Sequence, residues 1–335
     1  MRELRNSYAS IIGWGIFLAS ALSLGSCSNN DTIDVLKGEA ITFGNVFVEK
    51  STRAIDPSYG AEKDIVQFQV WGTVTGNQNT VNVFNGAIVT KDDEYGKAWD
   101  CNVTQYWIPS TTYNFTAIAN ATSVALGENN MPTAIGYTAD GASTYTTDGS
   151  KDLLLAELND NGIKTVTTNA DATPSQNPVA FTMSHLLSKA MFTFTNTDAS
   201  ATLTVSDIKM AGLNQKGTYT ISGENKGWSS SDPYAADAPL AFGGDVTIET
   251  GEHNTGTSQY ERLIIPGTYN ITITFTVTDN KGGQAQDIEA TIENQVFAIG
   301  NSYNFTADIK SGLTYIIFTI EQTDWTEGSD TPIQG

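Results

Sequence analysis

The sequence has few of the residues that most often carry catalysis or bind metals. Its 335 residues include only two cysteines and two histidines. Two cysteines are too few for the disulfide framework that stabilises many secreted domains. No Cys or His pair stands at metal-ligand spacing, and no Walker loop or Gly-x-Ser-x-Gly motif occurs. These absences predict a protein that is not an enzyme and that needs no metal or cofactor.

The two histidines fit this interpretation. His185 lies in an apolar stretch, where a packed and hydrogen-bonded side chain is more typical than a catalytic base. His253 lies in a polar stretch that predicts a solvated loop.

Basic residues are also scarce. Lys and Arg total 17 against 37 Asp and Glu, which gives a formal net charge of −20. A chain this acidic repels phosphate-rich partners, so we expect no nucleic-acid partner and no binding to an anionic membrane surface through charge.

Residues 1–26 have the pattern of an export signal and are left out of the fold. Arg2 and Arg5 precede an uncharged apolar run from Ala9 to Leu24, about 16 residues long and shorter than the ~20 of a membrane-spanning helix. Leu24-Gly25-Ser26-Cys27 then matches a bacterial lipobox. We therefore expect Cys27 to carry a lipid that attaches the protein to the outer membrane. The alternative is an ordinary secretory signal with an incidental cysteine.

The rest of the chain predicts an all-β fold. Apolar residues alternate with Thr and Asn in many short stretches, and Gly, Asn and Asp separate these stretches. This pattern is typical of antiparallel β-sandwiches. A boundary near residue 188 would divide the chain into domains at 54–188 and 189–335, preceded by a leader at 27–53. Residues 152–158 look helix-like but are too short for their period to decide.

The leader contains a candidate detachable strand. Ile41, Phe43 and Phe47 fall on one face of an alternating strand, and Val46 and Val48 fall on the other. A polar stretch with Arg53 and Ala54 follows, and it is suited to cleavage after Arg53. The alternative is that Arg53 only keeps a linker soluble.

A second candidate strand lies near the end of the chain. Ile316, Phe318 and Ile320 share one face, and the opposite face is also largely apolar because it carries Tyr315 and Ile317. This favours a strand buried in a sandwich, either its own or that of a neighbouring subunit.

Tryptophans offer an alternative function. Aromatic side chains can stack on sugars, although those in strands more often belong to a core. The tryptophans in question are Trp71, Trp99, Trp107, Trp228 and Trp325.

Several motifs in order resemble the fimbrillin (type V pilin) family of Bacteroidales surface lipoproteins. Besides the lipobox, they are Ile41-Thr-Phe43 with Ser51-Thr-Arg-Ala54, Tyr106-Trp-Ile-Pro109, Tyr113-Asn-Phe-Thr-Ala117, Asp152-Leu-Leu-Leu-Ala156, Phe181-Thr-Met-Ser-His-Leu-Leu-Ser-Lys189, Leu263-Ile-Ile-Pro266, Gly300-Asn-Ser-Tyr303 and Ile317-Phe-Thr-Ile-Glu-Gln-Thr-Asp-Trp325.

The resemblance implies two transthyretin-like β-sandwich domains in tandem, cleavage by an arginine-specific protease and assembly with other fimbrial subunits by strand exchange. The expected function is therefore a structural subunit of a cell-surface fimbria. Few and polar residues follow Trp325, so Leu313–Ile320 can be either a core strand or the exchanged strand. Stalk, tip and anchor roles stay open. The alternative function is a surface glycan-binding lipoprotein of a nutrient-uptake system.

Overall fold

The structure, a computed structural model, describes residues 38–44, 46–48, 65, 67–76, 78–91, 99–138, 152–234, 238–243, 245–254 and 261–324. These residues are mostly β-strand. The helices among them are two short 3-10 helices, Glu128–Asn130 and Leu158–Asp160. Neither they nor any other described segment forms a helix that could span a bilayer.

The strands follow one another through the whole described chain. Those before residue 186 are β1 (Phe47–Val48), β2 (Gln67–Gly76), β3 (Asn79–Lys91), β4 (Trp99–Cys101), β5 (Thr112–Ala119), β6 (Ser123–Leu126), β7 (Pro132–Thr138), β8 (Leu154–Ala156), β9 (Lys164–Thr167) and β10 (Thr182–His185). Those after it are β11 (Ser188–Asn196), β12 (Leu203–Ala211), β13 (Asn214–Thr220), β14 (Gly227–Pro233), β15 (Leu240–Ala241), β16 (Val246–Ile248), β17 (Arg262–Ile264), β18 (Gly267–Asp279), β19 (Gln286–Phe297), β20 (Asn301–Ile309) and β21 (Thr319–Asp324).

The described strands form four sheets. The first has the order β1-β10-β8-β5-β2-β3-β4, with β9 also paired to β5. The second has the order β17-β11-β20-β21, and the third has the order β15-β12-β18-β19, with β16 also paired to β12. The fourth, β14-β13-β7-β6, joins two strands from each half of the chain.

Period-two alternation explains why these segments form strands. In β18, Ile271, Ile273 and Phe275 are buried, and the intervening threonines lie on the other face. Such a strand buries one face and leaves the other to polar groups. The all-β class with antiparallel sheets is confirmed.

Two strand pairs nevertheless run parallel. One joins β11 to β20 over eight residue pairs, and the other joins β1 to β10. Parallel partners need long connections. β11 and β20 satisfy this requirement because most of the second half of the chain lies between them.

Two large hydrophobic cores lie one after the other along the chain. The first draws its buried residues from Ile41 to Met183, and the second from Ala190 to Ile309. A third, smaller core combines residues of both halves, such as Trp71 and Tyr219, beside the fourth sheet. The division of the large cores falls close to residue 188, although the domain limits 54–188 and 189–335 stay a prediction.

The structure shows the conformation of residues 152–158, which look helix-like in the sequence. Leu154–Ala156 is strand β8, whose three residues are all buried, and the 3-10 helix begins only at Leu158. Burial on both faces produces a continuous apolar run, and such a run hides the period of a strand.

Candidate functional site

The leader segment, residues 38–48, lies between two other parts of the chain and hydrogen-bonds to both. On one side, Ile41 N–H donates to the carbonyl of Gln105 at 2.8 Å, and Trp107 N–H donates to the carbonyl of Glu39 at 3.0 Å. On the other side, Val179 N–H donates to the carbonyl of Thr42 at 2.8 Å. Residues 39–42 of the leader segment therefore lie between two hydrogen-bonded neighbours.

Further along, the leader segment runs parallel to the strand beside it. Gly44 N–H donates to the carbonyl of Val179 at 3.0 Å, and β1 then pairs with β10. We call the cleft between residues 105–107 and 177–183 the leader groove.

Apolar side chains of the leader segment enter the first core. Ile41, Phe43 and Val46 are 4%, 3% and 3% exposed. The ring of Phe43 lies 5.4 Å from that of Phe84, 5.9 Å from that of Phe115 and 6.0 Å from that of Phe181, measured between centroids. Burying side chains of this size is worth about 1.5–3 kcal/mol each. Apolar contacts with the first core thus hold the leader segment in the leader groove.

The predicted faces of the leader strand need a correction. Val46 was expected opposite Ile41 and Phe43, yet it is buried in the same core as both. The alternation therefore breaks between Phe43 and Val46. Phe47 lies in β1, but its side chain is outside the described residues.

The predicted lipidation and processing sites lie outside the described residues. This applies to Cys27, Arg53 and Ala54 alike. They stay predictions.

The C-terminal segment, residues 313–324, covers the second core. The ring centroid of Phe318 lies 5.8 Å from that of Phe192 and 6.2 Å from that of Phe305. Ile316 and Ile320 are partly buried against the same core. The three residues predicted to share a face therefore do so.

The opposite face of the C-terminal segment is exposed, so the segment's own sandwich does not bury it. Tyr315 is 71% exposed and Ile317 is 77% exposed. The regular strand lies later than expected. β21 begins at Thr319, and among the described strands it pairs with β20 alone, at the edge of its sheet. An edge strand has no second neighbour, so the backbone groups on its outer edge remain open.

A carboxylate fixes the turn that precedes the C-terminal segment. Asp198 accepts hydrogen bonds from the backbone N–H groups of Ser200, Ala201 and Ser311, at 2.9, 2.9 and 3.1 Å. The hydrogen bond from Ser200, followed by the contact with Ser311, lowers the pKa of Asp198 to about 2. Gly312 comes next with φ +74°, a conformation that glycine adopts without strain. The chain therefore reverses here through a defined turn.

The histidines occupy the environments that the sequence predicts. His185 is buried in β10, and its Nδ1 lies 2.5 Å from Oδ2 of the buried Asp152. His253 is exposed. Across the described residues, no three His, Cys, Asp or Glu side chains converge as metal ligands would.

The described tryptophans pack against the protein. Trp71 and Trp107 are 4% and 2% exposed. The ring of Trp99 lies 5.1 Å from that of Phe68, and Trp228 Nε1 donates to the carbonyl of Leu186 at 2.7 Å. Trp71 and Trp107 are thus core residues, whereas Trp99 and Trp228 are partly buried. Trp325 lies outside the described residues.

Solved structures share this fold at low sequence identity. A fimbrial protein from Bacteroides vulgatus ATCC 8482 has a TM-score of 0.59 and 16% identity, over 85% of this chain and 99% of that one. Proteins provisionally described as cell adhesion proteins are also similar. The one from Bacteroides ovatus ATCC 8483 has a TM-score of 0.52 and 14% identity over 86% and 98% of the chains. The one from Bacteroides uniformis ATCC 8492 has a TM-score of 0.51 and 18% identity over 86% and 99%. No curated protein matches the chain.

The sequence pattern of one family covers most of the chain. The Fimbrillin-like pattern matches residues 52–325, so the chain belongs to the Fimbrillin-like family. The resemblance read from the motifs is confirmed. The match begins just before Arg53, and the leader segment precedes it.

Proposed function

We propose that the protein is a structural subunit of a cell-surface fimbria, in a stalk, tip or anchor position. In this proposal the leader segment fills the leader groove until assembly, when a strand from a neighbouring subunit replaces it. Family membership supports the fimbrial role. The observation that carries the replacement is that the leader segment buries Ile41, Phe43 and Val46 in the first core while it is hydrogen-bonded to the two walls of the leader groove.

Removal of the leader segment would leave a cleft that needs a replacement. The cleft would expose the rings of Phe84, Phe115 and Phe181 together with unpaired backbone groups at residues 105–107 and 179. Unpaired strand edges beside an apolar surface bind other extended chains. The C-terminal segment, with one face already apolar and open, is a candidate donor.

Processing completes the proposal. Cys27 would attach the exported precursor to the outer membrane by its lipid, and an arginine-specific protease would cut after Arg53, before Ala54. Residues 49–53 join the leader segment to the cleavage site, so cleavage would break the covalent link between this segment and the rest of the subunit.

The variant Arg53→Ala tests this order of events. We expect full-length lipidated monomer on the cell surface and no fimbriae by electron microscopy. Lys50→Ala removes a nearby positive charge and keeps the cleavage site, so it should assemble normally. Normal fimbriae built from uncleaved Arg53→Ala subunits would contradict the proposal.

A second experiment separates the fimbrial role from glycan binding. Purified protein that begins at Ala54 should form ladders that resist SDS. A product that stays monomeric and is retained on a polysaccharide affinity gel would point instead to a glycan-binding lipoprotein.

A further inference from the structure

The carboxamide of Asn177 continues the hydrogen bonds of the leader groove two residues before Val179. Its Oδ1 accepts from the N–H of Thr42 at 3.1 Å and from Oγ1 of Thr42 at 2.9 Å. Its Nδ2 donates to the carbonyl of Ala40 at 3.2 Å.

The orientation of this carboxamide follows from its partners. A backbone N–H can only donate and a backbone carbonyl can only accept, so the oxygen of Asn177 must face Thr42 and its nitrogen must face Ala40. One side chain therefore contacts two successive peptide groups and a hydroxyl. These contacts form together in one register of the leader strand.

The hydroxyl contact is separate from apolar burial. Thr42 is exposed, while Ile41 and Phe43 on either side of it enter the core. A valine at position 42 would have nearly the same shape and would still leave its neighbours buried. Only the hydrogen bond to Asn177 distinguishes threonine from valine at this position.

We infer that Asn177 sets the register of any strand in the leader groove and selects one with Ser or Thr between two buried apolar residues. This inference rests on the strand replacement proposed above. The partner it defines is an extended protein segment with an apolar–Ser/Thr–apolar sequence. A slip by one residue would turn the apolar pair outward and move the hydroxyl away from Asn177.

A double-mutant cycle in the full chain tests the register. Hydrogen exchange is measured at the amides of Ile41 and Gly44 in Asn177→Ala, Thr42→Val and the double variant. We expect each single change to speed exchange on the order of 5–30-fold, as the loss of one or two hydrogen bonds predicts. The double variant should exchange little faster than the faster single variant, because both changes remove one shared contact.

A second asparagine provides the control for this cycle. Asn114 accepts a hydrogen bond from Oγ1 of Thr165 at 2.8 Å on an exposed surface between other strands. Asn114→Ala should leave exchange in the leader segment unchanged. Fully additive effects of Asn177→Ala and Thr42→Val would overturn the inference.

Peptide replacement tests the selectivity. A specific protease site replaces residues 50–53, the chain is cut, and labelled peptides with the sequence of residues 38–48 are added. Peptides with Thr or Ser at position 42 should be retained about fivefold or more over the Val peptide, the factor for one hydrogen bond. On an Asn177→Ala chain the three should be retained equally. Equal retention on the Asn177 chain overturns the selectivity.

The two experiments fail differently. If no peptide of any sequence enters the cut chain, strand replacement itself is wrong. The exchange cycle then still decides whether Asn177 sets the register of the leader segment.

Discussion

Replacing Phe43 by alanine is the sharpest test of a detachable leader segment. Phe43 is 3% exposed and touches three aromatic rings of the first core. Truncation of a buried phenylalanine costs about 3–5 kcal/mol. Every 1.4 kcal/mol is a factor of ten in an equilibrium constant, so release of the leader segment should become about 10²- to 10³·⁵-fold more frequent. Hydrogen exchange at Ile41 and Gly44 measures this directly, because their amides are bonded only while the segment is in place.

Hydrogen exchange in the second core provides the comparison that could refute this reasoning. If the leader segment detaches alone, its amides should report a smaller opening free energy than those of β11 and β20, since local openings cost less than the global one. Tyr315→Ala, which removes a ring that is 71% exposed, should change neither region and serves as the control. Equal opening free energies in the leader segment and in β11 and β20 would show that the segment opens only when the whole protein unfolds. The detachable leader would then be wrong.

Three further predictions concern the other sites. Cys27→Ala should abolish incorporation of labelled palmitate and release the protein from the membrane fraction; undiminished labelling would contradict the lipid anchor. Phe318→Ala should lower stability by about 3 kcal/mol or somewhat less, because the ring is only partly buried, whereas Tyr315→Ala should have little effect in chemical denaturation. Asp198 has a folded-state pKa of about 2 against an ordinary 3.8, so its contribution is present above pH 4 and disappears as the pH falls towards 2. Proteolysis at the Ser311 turn should rise over that pH range in the parent and become independent of pH in Asp198→Asn; an unchanged pH profile in that variant would exclude Asp198 as its cause.

Alternation in the sequence predicted several of the strands but not their neighbours. The apolar and threonine positions of β18 identify a half-buried strand, and the structure shows that strand. Pairing depends on contacts between residues far apart in the chain, such as those of β11 with β20. A local pattern carries no information about such partners.

The leader groove was predicted in part for the same reason. Ile41 and Phe43 could be identified because their burial follows from alternation. Asn177 could not, because its function depends on Thr42, 135 residues earlier in the chain. Asp198 gave a weak local signal, since Asp followed by Ala-Ser is typical of a turn. Its contact with Ser311 could not be read from that signal.

The fourth sheet has a mechanical consequence for a filament built from such subunits. Strands β7 and β13 pair across the two halves of the chain, from Lys216↔Thr138 to Thr220↔Ala134. Domains joined only by a linker bend freely about it. Here bending at residues 186–188 would have to shear a hydrogen-bonded ladder and separate the apolar residues beside it. The two halves of the described chain would therefore resist bending relative to each other, and a filament of such subunits would flex at the junctions between subunits.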